Sequence, residues 1–211
     1  MAALQARQAY AEYLVRQKDS DGSGRAYAEL LQDAQRLGKE HDRPAQFARF
    51  EGEARGQIGD RQAASNDRQG AAESYDAAAT AVKQWIEAVK AELRTVDPQA
   101  VAWLVRLYRL AGLQHVEVKN SDIAIERFKP ALDARAFDEA KQPTPLIEYE
   151  AALVYDNIFR VERERGNTDA AGAAKQGLLK SIDFIIHADD ATPEVKQRAD
   201  SLKRSIEQWE R

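Results

Sequence analysis

The chain has 211 residues, with 31 Lys and Arg against 35 Asp and Glu, a net charge of −4 and no cysteine. Disulfides, thiolate catalysis and cysteine-based zinc sites are thereby excluded, and the mild charge without long single-sign blocks argues against a general nucleic-acid or anionic-membrane surface. Ala, Gln, Glu, Arg, Lys and Leu dominate and β-branched runs are nearly absent, which is the composition of an all-α protein.

The opening stretch, Met1 to Leu14, mixes Ala with Gln, Arg, Glu and Tyr and lacks the apolar run of a signal peptide. No segment reaches the apolar length of a membrane span, so a cytoplasmic location is expected. Helices are predicted at about 3–18, 24–40, 44–64, 68–94, 98–118, 121–140, 146–165, 168–188 and 192–210. Their boundaries have chemical causes. Asp19-Ser20-Asp21-Gly22-Ser23-Gly24 reads as a turn cluster, and Ser65-Asn66-Asp67 as a link and cap. Asp97-Pro98 and Thr192-Pro193 each set a cap before a first-turn proline. Lys119-Asn120-Ser121-Asp122 ends one helix and caps the next, while Pro143 and Pro145 bracket a loop. Gly166-Asn167-Thr168-Asp169 gives a C-terminal glycine and then Thr168 as the expected cap of the next helix. Pro130, inside a helical run, is expected to kink the helix near Glu126 or split it.

Two stretches share a cadence. Gly59, Ala71, Tyr75 and Ala78 are separated by 12, 4 and 3 residues, and Gly112, Ala124, Phe128 and Ala131 repeat those offsets. Small residues belong where antiparallel helices touch, and an aromatic ring fills the space beside them. Ala71 and Ala124 are therefore expected to be buried where the two helices of a hairpin meet. The offsets extend more loosely to Phe159, Ala171, Lys175 and Leu178, and to Leu14, Ala26, Leu30 and Asp33. The four starting positions lie 45, 53 and 47 residues apart, giving hairpins with long second helices and variable links.

The pattern resembles the tetratricopeptide repeat family over about residues 45–188. The resemblance implies a single domain over 1–211, an α-solenoid of hairpins at about 3–40, 44–94, 98–140 and 146–188. A capping helix at 192–210 would close it with a stripe of Val195, Ala199, Leu202, Ile206 and Trp209. It also implies a concave groove lined by the first helices. Carried to Gly112, the groove positions are Arg106, Arg109, Leu113, Val116 and Glu117. Carried to Phe159 they are Leu153, Asp156, Arg160, Arg163 and Glu164, and carried to Gly59 they are Glu53, Gly56, Asp60, Ala63 and Ala64. Arg106, Arg109, Arg160 and Arg163, with Asp156 beside them, form the expected binding site, and arginine forks suit an acidic peptide. Alternatively these arginines pair with Asp156, Glu117 and Glu164 on a solvated surface. The family's carboxylate clamp of Lys and Asn is not reproduced.

Local chemistry is sparse. Asp19, Asp21 and Ser23 open like an EF-hand calcium loop, but the position of its bidentate glutamate holds Leu30. A polar turn in which Ser23 or Asp21 caps the next helix is the plainer reading. The three histidines, His41, His115 and His187, lack metal-ligand spacing, and there is no Gly-rich phosphate loop or nucleophile elbow. No cofactor is expected. The sequence thus predicts a non-catalytic scaffold or adaptor that binds a protein or peptide. The alternatives are a structural subunit of a larger complex and a small-ligand or calcium-responsive regulator.

Overall fold

The computed structural model describes residues 1–92, 94–138 and 144–209, the side chains of 207–209 excepted. Among these residues the regular structure is all helical: α1 (Ala2–Arg16), α2 (Ser20–Glu40), α3 (Pro44–Ala64), α4 (Arg68–Ala91), α5 (Pro98–Glu117), α6 (Ser121–Asp133), α7 (Pro145–Glu164), α8 (Thr168–His187) and α9 (Pro193–Trp209), with a 3-10 turn at Ala134–Phe137. No helix among them is long and apolar enough to cross a membrane.

Three boundaries differ from expectation. The turn cluster at Asp19–Gly24 is the first turn of α2, capped by the Asp19 carboxylate, which accepts a hydrogen bond from the Gly22 backbone N–H at 2.8 Å. The glycines that read as helix breakers make room for side chains: a Cβ on Gly24 would lie 2.5 Å from the Arg61 guanidinium. Pro130 does not split α6, which continues to Asp133 and then tightens into the 3-10 turn. The fourth helix, expected to reach residue 94, stops at Ala91, and Leu93, Pro143 and the side chain of Trp209 lie outside the described residues.

Five helix connections share one design. Residues 17–19, 41–43, 65–67, 118–120 and 165–167 each join two helices in three residues. In each the middle residue is left-handed: Lys18, Asp42, Asn66, Lys119 and Gly166 have φ between 51° and 75°. The next backbone N–H then reaches back to a carbonyl five residues earlier, as in Asp67 to Gln62 at 2.8 Å and Asn120 to His115 at 2.8 Å. This is the Schellman closure, which satisfies the open carbonyls of a helix end. Asp19, Asp67 and Asn167 then cap the following helix through their side chains.

The chain packs as two compact units, Met1–Thr95 with Glu117–Lys119, and Val96–Val116 with Asn120–Arg211. In the first, α1 packs on α2, α2 on α3 and α3 on α4. Leu4, Leu14, Tyr27, Leu30, Phe47 and Phe50 form one apolar cluster across α1, α2 and α3. Each fully buried Leu or Phe contributes about 1.5–3 kcal/mol. In the second unit, α6 packs on α7, α7 on α8, and α9 on both α8 and α7. Here Ala152, Leu178, Ile182 and Ile185 meet Ala199 and Ile206 of α9, with Val195 and Leu202 half-buried beside them.

The small-to-aromatic contacts expected from the cadence are present. A Cβ on Gly59 would meet the Tyr75 ring at 2.9 Å, and one on Gly112 would meet the Phe128 ring closer still. Ala71, Ala78, Ala124 and Ala131 are each fully buried.

Candidate functional site

The sequence directs attention first to the arginines of the second unit. Arg106 on α5 and Arg163 on α7 are exposed. Arg109 is not: its side chain is 14% accessible, and its Nε lies 3.3 Å from the Glu150 carboxylate of α7, itself 14% accessible. Arg160 pairs with Asp156 one turn earlier on α7 at 2.9 Å, and that carboxylate is 10% accessible. Arg109 and Arg160 are therefore held by this chain's own acids. The Asp156 partner was foreseeable from its i, i+4 spacing. Glu150 was not, because it comes from another helix.

Ion pairing is the rule in this unit. Glu148, 5% exposed, receives a hydrogen bond from Ser181 Oγ at 2.7 Å and the Arg135 guanidinium at 2.8 Å. Arg165 bridges Asp122 at 2.6 Å and Glu162 at 3.5 Å.

The candidate calcium residues do not converge. Asp19 is a cap, Asp21 lies in the first turn of α2, and Ser23 is buried, its Oγ donating to the Ser20 carbonyl at 2.9 Å. Two residues apart on a helix, Asp21 and Ser23 point about 200° away from each other. The expectation that Ser23 or Asp21 caps the helix is likewise corrected, since Asp19 does so. Among the described residues no group of three or more His, Asp or Glu is placed to hold a metal ion.

The first unit has a different arrangement, built from α1, α2 and α3. Tyr27 of α2 is 2% exposed, and Glu53 and Asp60 of α3 and Glu12 of α1 are the acids whose field reaches its hydroxyl. Burial, then those three carboxylates in the order Glu53, Glu12, Asp60, pushes the phenol up to about 12. Glu53 is held above the usual carboxylate range, first by burial and then by Glu12, with Asp60 adding to the effect and Arg49 opposing it. That arginine sits over the Trp85 ring, 5.4 Å from its centroid. Asp60 accepts a hydrogen bond from the Tyr75 hydroxyl at 2.7 Å, and Glu12 accepts one from Gln8 at 3.0 Å.

Neither Glu53 nor the Tyr27 hydroxyl has a hydrogen-bond or ion-pair partner among the described residues. Glu53 and Asp60 were among the groove positions carried from Gly59, but the arginines drew the site away from them. Glu12 and Tyr27 carried no local signal. They join the cluster only because α1, α2 and α3 pack together.

Comparison with known proteins adds little. No described protein family and no curated protein matches the chain. Among solved structures it is similar to one titled "DHF79 filament", with 16% identity, a TM-score of 0.36, and coverage of 96% of this chain and 97% of that one. A similarity at that score carries no inference about fold or function.

Proposed function

We propose that the chain is a non-catalytic helical scaffold that holds a protein or peptide segment on the side of the first unit that carries Glu12, Glu53 and Asp60. In this reading its hairpins stack as a tetratricopeptide-like α-solenoid. One observation supports it above the others: Glu53, half-buried, is held above the usual carboxylate range by burial and by Glu12, and Arg49 opposes that shift without cancelling it. Burying a charge without a partner is costly, and a group kept in that condition is suited to a ligand that brings the missing charge. The non-catalytic part rests on the sequence, which has no cysteine, phosphate loop or nucleophile elbow. An acidic segment on the arginine face would have to displace Glu150 and Asp156, so the acid-lined face is favoured. Selection of a random dodecapeptide library on the immobilised full chain tests the reading. Enrichment of peptides that bind the free chain in solution supports it, and no enrichment over the bare support overturns it.

A second reading, a structural subunit of a larger complex, draws on α1. Tyr10 and Tyr13, three residues apart on one face there, are 58% and 50% exposed, an apolar flank of the kind an assembly covers. Sedimentation velocity separates the two. Association that is lost in Tyr10→Ser/Tyr13→Ser favours the subunit, and a monomer at all concentrations removes it.

A further inference from the structure

We infer that α1 pairs with the α1 of a second copy of this chain, antiparallel and through the same face on each. This rests on the second reading above, the subunit of an assembly, and names what covers the flank. α1 packs on α2 and buries Leu4, Ala11 and Leu14. At about 100° per residue, Ala2, Ala3, Ala6, Ala9, Tyr10 and Tyr13 fall on another side of the helix, within a sector of about 120°. All six are exposed, the two tyrosines by 58% and 50%. An apolar sector of that width is what a helix turns toward a packing partner. α9 shows none: from Glu194 to Arg204 its exposed residues, Gln197, Asp200 and Lys203 among them, are all polar or charged. On α1 the nearby polar groups are engaged elsewhere, Arg7 with Glu29 and Asp33 of α2, each at 2.6 Å, and Gln8 with Glu12 at 3.0 Å.

The occupant follows from the order of small and large residues along the sector. Ala6 and Tyr10 stand two residues either side of Gln8, and Ala3 and Tyr13 stand five either side. A two-fold axis level with Gln8 therefore sets Ala6 against Tyr10 of the second copy, and Ala3 against its Tyr13. Every ring then meets a methyl group. A parallel pair would set ring on ring and methyl on methyl, crowding one end and leaving a gap at the other. Small against aromatic is how this chain already closes its own hairpins: Gly59 lies against Tyr75, Gly112 against Phe128 and Gly177 against Tyr155. Charge does not oppose the pairing. The charges level with the axis are the two copies of Arg7, and each is matched within its own chain by Glu29 and Asp33. A self-complementary patch of this kind makes a closed homodimer. About four turns of helix offer less than the roughly 800 Å² per partner of a standard interface, so the dimer is weaker than about 1 μM.

The chain has no cysteine, so engineered ones report the pairing without background. Ala6→Cys and Tyr10→Cys, both full length and at exposed positions, should fold as wild type by circular dichroism. Mixed and oxidised, they should give a disulfide-linked heterodimer at least about fivefold faster than either gives a homodimer, because only the antiparallel register brings residue 6 beside residue 10. Sedimentation velocity over a concentration series should show a monomer–dimer equilibrium in wild type that is lost in Ala6→Glu. Cross-linking fastest within either variant alone overturns the inference, and leaves the subunit reading standing where association is still lost in Tyr10→Ser/Tyr13→Ser. Association unchanged by Ala6→Glu overturns it as well. A wild-type chain that stays monomeric throughout removes both.

Discussion

Both units pair acids with arginines, as Arg7 with Asp33 and Arg55 with Glu51 in the first, but they differ in how their more buried acids are treated. In the second, partly buried acids sit against arginines: Glu150 with Arg109, Asp156 with Arg160, Glu148 with Arg135. In the first, Glu53 is held above the usual carboxylate range by burial and by Glu12, and Arg49 opposes this without cancelling it. A carboxylate in the first setting strains the fold, whereas one in the second supports it. Residue type alone does not separate the two cases. Both are glutamates on helices of similar composition, and only the element packed opposite distinguishes them.

The comparison breaks or holds on a pair of matched substitutions. Glu150→Gln should cost roughly 2 kcal/mol, because it leaves Arg109 charged, largely buried and without its counter-ion. Urea denaturation would measure it, and a neutral result would mean the pair is solvated after all. Packing gives the next largest effect. Gly112→Ala forces a methyl into the Phe128 ring and should cost about 1–2 kcal/mol after the gain in helix propensity. Gly59→Ala, facing Tyr75 at 2.9 Å, should cost less. Equal melting temperatures for the two variants would show that the rings yield alike. Ala124→Leu, at a fully buried position, should destabilise by about 1–3 kcal/mol on the same principle.

Glu53→Gln should act with the opposite sign to Glu150→Gln and by a smaller amount. The native chain holds a proton on Glu53 more tightly than the unfolded chain does, because the native value is raised. Wild-type stability should therefore fall as pH rises from the ordinary glutamate range, about 4.3, through the raised native value. The advantage of Glu53→Gln should be absent at acid pH, grow across that window and stay constant above it. Melting curves at a series of pH values check this, and an unchanged gap at every pH would mean Glu53 is not strained. The smallest effect belongs to a connection. Lys119 holds a left-handed backbone, so Lys119→Gly should stabilise by about 0.5 kcal/mol, the relief of strain less the added unfolded-state entropy. A loss of stability there would show that the Lys119 side chain contributes contacts.

The helices were readable because their ends carry chemistry. Asp67 and Thr192 cap where expected, Asn167 caps α8 in place of the expected Thr168, and Pro44, Pro98, Pro145 and Pro193 open helices. Buried positions were readable from spacing, as Ala71 and Ala124 show. The start of α2 was misread because Gly22 and Gly24 look like breakers in isolation. Their small size matters only once Asp19 and Arg61 are in place. The candidate site was half legible. Glu53 and Asp60 followed from the cadence, but Tyr27 is an apolar-stripe residue by pattern, and Glu12 belongs to a helix with no cadence contact of its own. Arg109 was legible as a charge and not as a pair, since Glu150 lies 41 residues away.

The order in which packing partners are made has a consequence for how the chain comes off the ribosome. In the first unit each helix docks on the one just before it, α2 on α1, α3 on α2 and α4 on α3, and the second unit follows the same habit from α6 to α9. Contact order is correspondingly low, so little of the chain must wait for a distant segment before it gains anything by ordering. A newly emerged helix finds its neighbour already present, three residues upstream throughout the first unit and between α7 and α8. Synthesis should therefore build the protein progressively from its N-terminus, with only a short unprotected apolar stretch exposed at any moment.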